Sequence, residues 1–293
     1  MGLDSELVQA IAAQGKADGA CPTAVNGLML YRSGSVSARM PAVYEPSICV
    51  IAQGRKRIFY GEHTCSYDQH NYLISSLTLP VDVQVVDATE DRPYLGLSLA
   101  VDRDLVGQLL QEMEALGSLP SGGAAAPIIS ATVVTERLQQ SLVQLLGTLA
   151  DPVDRQVLGP VLQRQIYYEV LKGPYGYLLR NCVTSHAGAN RIAPVVHFIE
   201  AHFHESLDID SISRFAGMSA SSLHEHFKQV TSMSPMQFVK NLRLHRARAM
   251  LLGGNQASDT SYRVGYSSPS QFSREFKRLF GELPRDVQAR PAP

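Results

Sequence analysis

Two stretches near the C-terminus share a spacing of side chains suited to reading a polynucleotide. Leu223-x-x-x-Phe227-Lys228 is echoed 49 residues later by Phe272-x-x-x-Phe276-Lys277, and the same offset carries Pro235 onto Pro284. Around these apolar knobs stand Ser221, Ser222, His224, Glu225 and Lys228 in the first stretch. The second carries Ser270, Gln271, Ser273, Arg274 and Lys277. Hydroxyl, amide and guanidinium groups match the donors and acceptors of base edges, and ammonium groups neutralise phosphates.

Such side chains work only if rigid elements present them, and the neighbouring residues supply those elements. Gly217 and Gly265, 48 residues apart, permit the positive φ of a tight turn between two steeply crossing helices. Ser219 and Ser268 follow as caps for the next helix. Leu223 with Phe227, and Phe272 with Phe276, pin that helix through i,i+4 neighbours and leave its other faces free. Between the copies, Pro235–Leu252 reads as one long helix that begins after Ser234 and stops at Gly253-Gly254. It carries Lys240, Arg243, Arg246 and Arg248, of which Lys240 and Arg246 are candidate phosphate contacts. A rigid connector of this kind holds two reading helices on the order of 34 Å apart, one turn of DNA. A single glycine turn reads equally well as plain helix packing; the repeat joined by a basic helix points to duplex DNA.

Charge agrees with that expectation. The 293 residues sum to a net charge of -1, yet from Arg191 onward 13 Lys and Arg face 9 Asp and Glu, against 13 and 18 before it. A basic C-terminal part on an acidic remainder suits a polyanion partner. No apolar run is long enough to span a membrane, and charged residues among the first twenty speak against a secretory signal. Cys21, Cys49, Cys65 and Cys182 form no CxxC pair, which fits reduced thiols in a cytoplasm.

Residues 22–101 read as short strands of a small barrel or sandwich. Ile48–Gln53 is an apolar strand, Gly54–Lys56 a basic turn, and Gly61-Glu62 a two-residue hairpin. Leu95, Leu97, Leu99 and Val101 alternate with small residues. Helices are then expected over Asp102–Leu116, capped by Asp102 or Asp104, over Ser130–Leu149 and over Arg155–Leu171. Leu119–Pro127 reads as a loop and Asn181–Asn190 as a linker. The fold class is therefore α+β. The expected boundaries are a sensor and dimerisation part over 1–180, a linker over 181–190 and a DNA-binding part over 191–293.

The segments AGMSASSLHEHFKQVTSMSP and RVGYSSPSQFSREFKRLFGELP resemble the double helix-turn-helix domain of the AraC/XylS family over 195–290. Ser213, Ser261, Thr260 and Ser232 depart from that family's usual small, aliphatic or glycine residues. YEPSICVIAQGRKRIFYGE and ATEDRPYLGLSLAVDRDLVGQLL, within 22–172, are similar to the N-terminal sensor of one branch of the family. The resemblance implies a cupin-like β-barrel with a helical dimerisation segment, followed by an all-α DNA-binding domain. It implies a transcription activator with duplex DNA, RNA polymerase, a small-molecule effector and a second copy of the chain as partners, and no cofactor. Dimerisation is expected through the helices of Ser130–Leu171, whose apolar stripes exceed what one barrel face needs.

A cupin-like barrel could instead be a metal-dependent oxygenase or isomerase. This region offers only His63, His70, Glu62 and Glu45, without a His-x-His pair on one strand face. The i,i+2 pairs His202/His204 and His224/His226 do not share a helical face. A purely architectural DNA binder would need no barrel. Candidate effector contacts are Cys49, Gln53, Tyr60, Cys65 and Tyr72, with no metal ligands and no catalytic residues. Arg55-Lys56-Arg57 reads as a solvated turn, or else as a contact for an anionic ligand or the other domain. Cys49 or Cys65 would serve as electrophile sensors if a neighbouring His63 or the basic run lowered the thiol pKa.

Overall fold

The computed structural model describes residues 3–15, 17–119, 128–183 and 191–289. Helix α1 (Leu3–Ala12) precedes strands β1 (Gly19–Pro22), β2 (Leu28–Ser33), β3 (Met40–Tyr44), β4 (Ser47–Gln53), β5 (Arg55–Tyr60) and β6 (His63–Asp68). Strands β7 (Asn71–Ser75), β8 (Leu79–Asp87) and β9 (Tyr94–Ala100) follow, then α2 (Arg103–Ala115) and β10 (Ile129–Val133). Next come α3 (Glu136–Gly147), α4 (Pro152–Val157), α5 (Gly159–Lys172) and α6 (Gly176–Asn181). The C-terminal helices are α7 (Ala193–His202), α8 (Ile209–Ala216), α9 (Ala220–Thr231), α10 (Pro235–Leu252), α11 (Ala257–Arg263), α12 (Pro269–Phe280) and α13 (Pro284–Gln288).

The strands form an antiparallel β-sandwich, the shape taken here by the expected barrel. One sheet has the order β1-β2-β9-β4-β7-β10 and the other β3-β8-β5-β6. Strand alternation assigns each face. Ile48, Val50 and Ala52 of β4, with Leu95, Leu97 and Leu99 of β9, turn toward α1, α2, α3, α5 and α6. Cys49 and Ile51 turn instead to the second sheet, where they meet Ile58, Tyr67, Val83 and Val85. Strand β4 is thus buried on both faces, which is why it reads as an unbroken apolar run.

Four expectations need correction. First, α1 was not anticipated; Leu7 and Ile11, one turn apart, bury it on the helical side of the larger sheet. Second, the helix expected from Ser130 begins only at Glu136. Ile129–Val133 pairs as an edge strand with β7, and Thr135 caps the helix by accepting the Leu138 amide at 3.2 Å. Third, Pro160 in the first turn of α5 separates it from α4, breaking the single helix expected over Arg155–Leu171. Fourth, the basic turn at Gly54–Lys56 is mostly strand: Lys56 pairs with Tyr67 and Val85, so alternation aims it inward while Arg55 and Arg57 stay exposed. Other expectations fit. Asp102 caps α2, accepting the Leu105 amide at 3.0 Å, and Tyr60 pairs with His63 across the Gly61-Glu62 turn. The loop and linker expectations fall largely outside the described residues.

The stripes on α3 and α5 are core. Leu138, Leu142, Leu145 and Leu146, with Ile166, Val170 and Leu171, are buried against the larger sheet and its helices. The interior of the sandwich runs on into Val195, Ile199, Phe227, Phe238 and Leu242, so the C-terminal helices share one continuous core with the strands. A third core around Leu251, Val264, Phe272 and Phe276 supports the last helices.

Candidate nucleic-acid interface and interior site

Each C-terminal glycine turn joins two helices. After α8, Gly217 takes φ +60°, and Ser219 accepts the Ser222 amide at 3.3 Å to start α9. After α11, Gly265 takes φ +89°, and Ser268 accepts the Gln271 amide at 3.3 Å to start α12. Leu223 and Phe227 anchor α9; Phe272 and Phe276 anchor α12, with ring centroids 5.5 Å apart. The opposite faces stay in solvent. Ser221, His224, Glu225 and Lys228 are exposed on α9, with Ser222 half-buried. Ser270, Gln271, Arg274 and Lys277 are exposed on α12, with Ser273 half-buried. Gln271 donates to Glu275 at 3.2 Å, which orients its amide.

The connecting helix α10 is less of a phosphate track than its composition suggests. Arg243 donates to the carbonyls of Phe203 and Glu205, each at 2.6 Å, bracing the end of α7. Arg248 pairs with Glu282 at 3.6 Å. Arg246 pairs with Glu45 at the end of β3, 2.7 Å away, so this candidate DNA contact is held by the sandwich. Lys240 lines a groove of about 430 Å³ beside Gln271 and Glu275.

The sequence departures acquire physical meaning here. Ser232, where the family favours glycine, lies in the left-handed region at φ +61°; its counterpart Gly281 has φ +75°. Thr260 replaces the aliphatic role that Ile212 plays in the first copy, and its buried hydroxyl finds no hydrogen-bond partner. The sandwich also touches α9. The Gly61 turn abuts Ser232, and Glu62 and His63 share a groove of about 390 Å³ with Glu225, Lys228 and Gln229.

The candidate effector residues separate into groups. Cys49 faces the sandwich interior with Tyr67 and Tyr94, whereas Tyr72 lies on the other face, its hydroxyl toward Gly173 and its pKa pushed up to about 12 by burial. Gln53 is engaged in structure, donating to the Pro93 carbonyl at 2.7 Å. Tyr60 and Cys65 lie near the hairpin tip, where the Tyr60 and His63 rings are 5.3 Å apart. Burial pushes both the Cys49 and Cys65 thiols up, with Lys56 only partly offsetting it at Cys49. That opposes the lowered pKa a reactive thiolate requires. His70 is exposed beside Gln69, and Glu45 is spent on Arg246, so the four possible metal ligands are dispersed. Among the described residues no helix is long and apolar enough to cross a membrane.

What the sequence did not single out is the surroundings of Lys56. Its ammonium lies 5.4 Å from the ring centres of both Tyr31 and Tyr44. Burial lowers its pKa, while the Tyr31, Tyr44, Tyr67 and Tyr94 hydroxyls are all pushed up. The signal was available: period-2 alternation through Arg55-Lys56-Arg57 puts one cation of three inside.

A β-sandwich docked on two glycine-turned helix pairs, each with an outward polar face, is the build of a two-part DNA-binding regulator. The chain belongs to the AraC-type transcriptional regulators: the family's N-terminal model matches residues 24–178, and a helix-turn-helix domain model matches 212–290. It is similar to the HTH-type transcriptional activator RhaS of Citrobacter koseri, 29% identical over 159 residues, which is 53% of this chain and 56% of RhaS. RhaS of Escherichia coli is 32% identical over 101 residues, 34% of this chain and 36% of that protein. These matches thus span about half or less of the curated relatives. Among solved structures, apo ToxT from Vibrio cholerae has the same fold, with a TM-score of 0.63 at 9% identity, covering 91% of this chain and 98% of ToxT. ToxT with bound unsaturated fatty acid superposes at 0.60 with 10% identity, over 89% and 94% of the two chains.

Proposed function

We propose that the chain is a sequence-specific, duplex-DNA-binding transcription activator of the cytoplasm, a homodimer that works with RNA polymerase. A small-molecule effector in the N-terminal sandwich controls it, and it has no catalytic step. The sensor is 1–180, the linker 181–190 and the DNA-binding part 191–293. One observation carries the reading: two capped recognition helices present Ser221, His224, Glu225 and Lys228, and Ser270, Gln271, Arg274 and Lys277, to solvent on either side of α10. Similarity to RhaS supports activation, and the shared fold with fatty-acid-binding ToxT supports a ligand in the sandwich.

Control follows from the contacts between the parts. The Glu45–Arg246 pair and the hairpin beside α9 hold the first recognition helix against the sandwich. Phosphates approaching Lys228 would meet Glu62 there, a repulsion that a shift of the sandwich removes. For dimerisation, the buried stripes of α3 and α5 are already used. Exposed Val153 and Val157 on α4, with Leu158 and Val161, offer the apolar surface instead.

The test is binding of the full chain to the DNA upstream of its own gene. Arg274→Ala costs about 1–3 kcal/mol at one base block if it reads a base edge. Lys240→Ala weakens all sequences and flattens the salt dependence. Equal affinity for specific and random DNA refutes the reading, and a full chain that stays monomeric at tens of micromolar refutes the dimer.

A further inference from the structure

The second recognition helix carries a carboxylate on the side that would meet a polyanion, and both oxygens of that carboxylate are engaged. Gln271 is exposed in the first turn of α12, just after the Ser268 cap, the part of a recognition helix that reaches base edges. Glu275, one turn further on and half-buried, accepts the Gln271 side-chain amide on Oε1 at 3.2 Å. Its Oε2 accepts the Tyr266 hydroxyl at 2.8 Å. Tyr266 is buried, and its ring packs edge-on against Phe272 with centroids 5.4 Å apart, which fixes the hydroxyl in place. Burial, then Glu275, raises the pKa of that hydroxyl, so it remains a donor. An ionised carboxylate only accepts hydrogen bonds. The Gln271 amide must therefore turn its NH2 group toward Glu275 and its carbonyl away. The corresponding residues of the first copy are Met218, Ser222 and His226, which supply no phenol, amide or carboxylate.

We infer that Glu275, itself held by Tyr266, is a positioning residue that makes Gln271 select adenine and reject guanine at one base pair of the block read by α12. The inference rests on reading α12 as a recognition helix and names what one of its side chains reads. With one N–H spent on Glu275, Gln271 keeps its carbonyl and a second N–H, an acceptor beside a donor. Adenine presents the complement in the major groove, the N6 donor beside the N7 acceptor. Guanine presents two acceptors, O6 and N7, and the Gln271 carbonyl would face O6. An unrestrained glutamine can rotate its amide and donate to guanine instead. Here that rotation would set a carbonyl oxygen against the Glu275 carboxylate. Discrimination then comes from a repulsion against the wrong base as well as from attraction to the right one.

The experiment selects bound duplexes from a random-sequence library with the purified full chain and with its Gln271→Ala and Glu275→Gln variants. The position whose preference Gln271→Ala removes is the one that Gln271 reads. There the unsubstituted chain is expected to favour adenine over guanine by roughly five- to a hundred-fold. Glu275→Gln can donate to the Gln271 carbonyl as readily as it accepts from the amide, so the ratio is expected to fall toward one. The bases selected by α9 should not change, which a merely structural role for Glu275 would not spare. A second measurement needs no variant: 2-aminopurine in place of that adenine still pairs with thymine but lacks the major-groove donor, and should weaken binding by roughly tenfold. Guanine preferred at that position, a ratio unchanged in Glu275→Gln, or 2-aminopurine bound as tightly as adenine overturns the inference and leaves α12 a recognition helix. No enriched sequence at all overturns that reading and the inference with it.

Discussion

Gly217 and Gly265 look interchangeable in the sequence, and the structure predicts that they are not. Both have positive φ, so alanine at either place pays the left-handed penalty of about 1–2 kcal/mol, offset by up to about 1 kcal/mol from the stiffer unfolded chain. At Gly217 a Cβ would meet nothing within 4 Å, so Gly217→Ala should cost about 1 kcal/mol in all. At Gly265 a Cβ would fall 2.7 Å from the His204 carbonyl oxygen and 3.1 Å from Nη2 of Arg243. That guanidinium holds the Phe203 and Glu205 carbonyls, and displacing it forfeits charge-assisted hydrogen bonds worth about 1.5–3 kcal/mol. Gly265→Ala should therefore cost about 3–4 kcal/mol, some 2 kcal/mol or more beyond Gly217→Ala. Urea unfolding followed by far-UV circular dichroism measures both, since the chain has no Trp for fluorescence. Equal losses for the two variants, or the larger one at Gly217, would refute the claim that the second turn is packed against the end of α7.

Three further outcomes follow from the same structure. Thr260→Val removes a buried hydroxyl without a partner at nearly constant volume and should stabilise the chain by about 1 kcal/mol in urea melts; destabilisation contradicts the hydroxyl's being unsatisfied. His245 is buried against Phe280 near Arg248, and burial, then Arg248, lowers its pKa from 6.5 to about 4. The unfolded chain thus binds the proton first, so stability should fall as pH drops from 6.5 toward 4, by up to about 3 kcal/mol. His245→Gln should abolish that part of the slope in thermal melts, and an unchanged slope assigns it elsewhere. Glu45→Gln breaks an exposed pair worth under about 1 kcal/mol, so it should raise DNA affinity by no more than about fivefold, and less at high salt. A drop in affinity would mean that the pair does not restrain Arg246.

Local signals made the C-terminal helices legible. Gly217 and Gly265, the Ser219 and Ser268 caps and the leucine and phenylalanine knobs each act within one or two helical turns, and the repeat doubled the signal. Ser232 and Thr260 were recognisable as departures; their positive φ and unsatisfied hydroxyl needed coordinates. The N-terminal half was harder because its signals are long-range. Ile129–Val133 becomes a strand only because β7 offers it an edge, and nothing local distinguishes it from the helix that follows except the Thr135 cap. Lys56 looked like part of a solvated run, since alternation matters only once the neighbouring strands bury one face. Arg243, Arg246 and Arg248 share a helix and a charge, yet they serve carbonyls, the sandwich and a carboxylate respectively. Composition does not record a partner.

The central claim is that one chain reads DNA with two separate helices. Hydroxyl-radical footprinting of the full chain on the DNA upstream of its own gene tests it most directly, repeated with Arg274→Ala and with His224→Ala. The account predicts two protected stretches of backbone per chain about one helical turn apart, with Arg274→Ala erasing protection at one stretch and His224→Ala weakening the other. A single block lost as a whole in both variants, or protection without sequence preference, would contradict it.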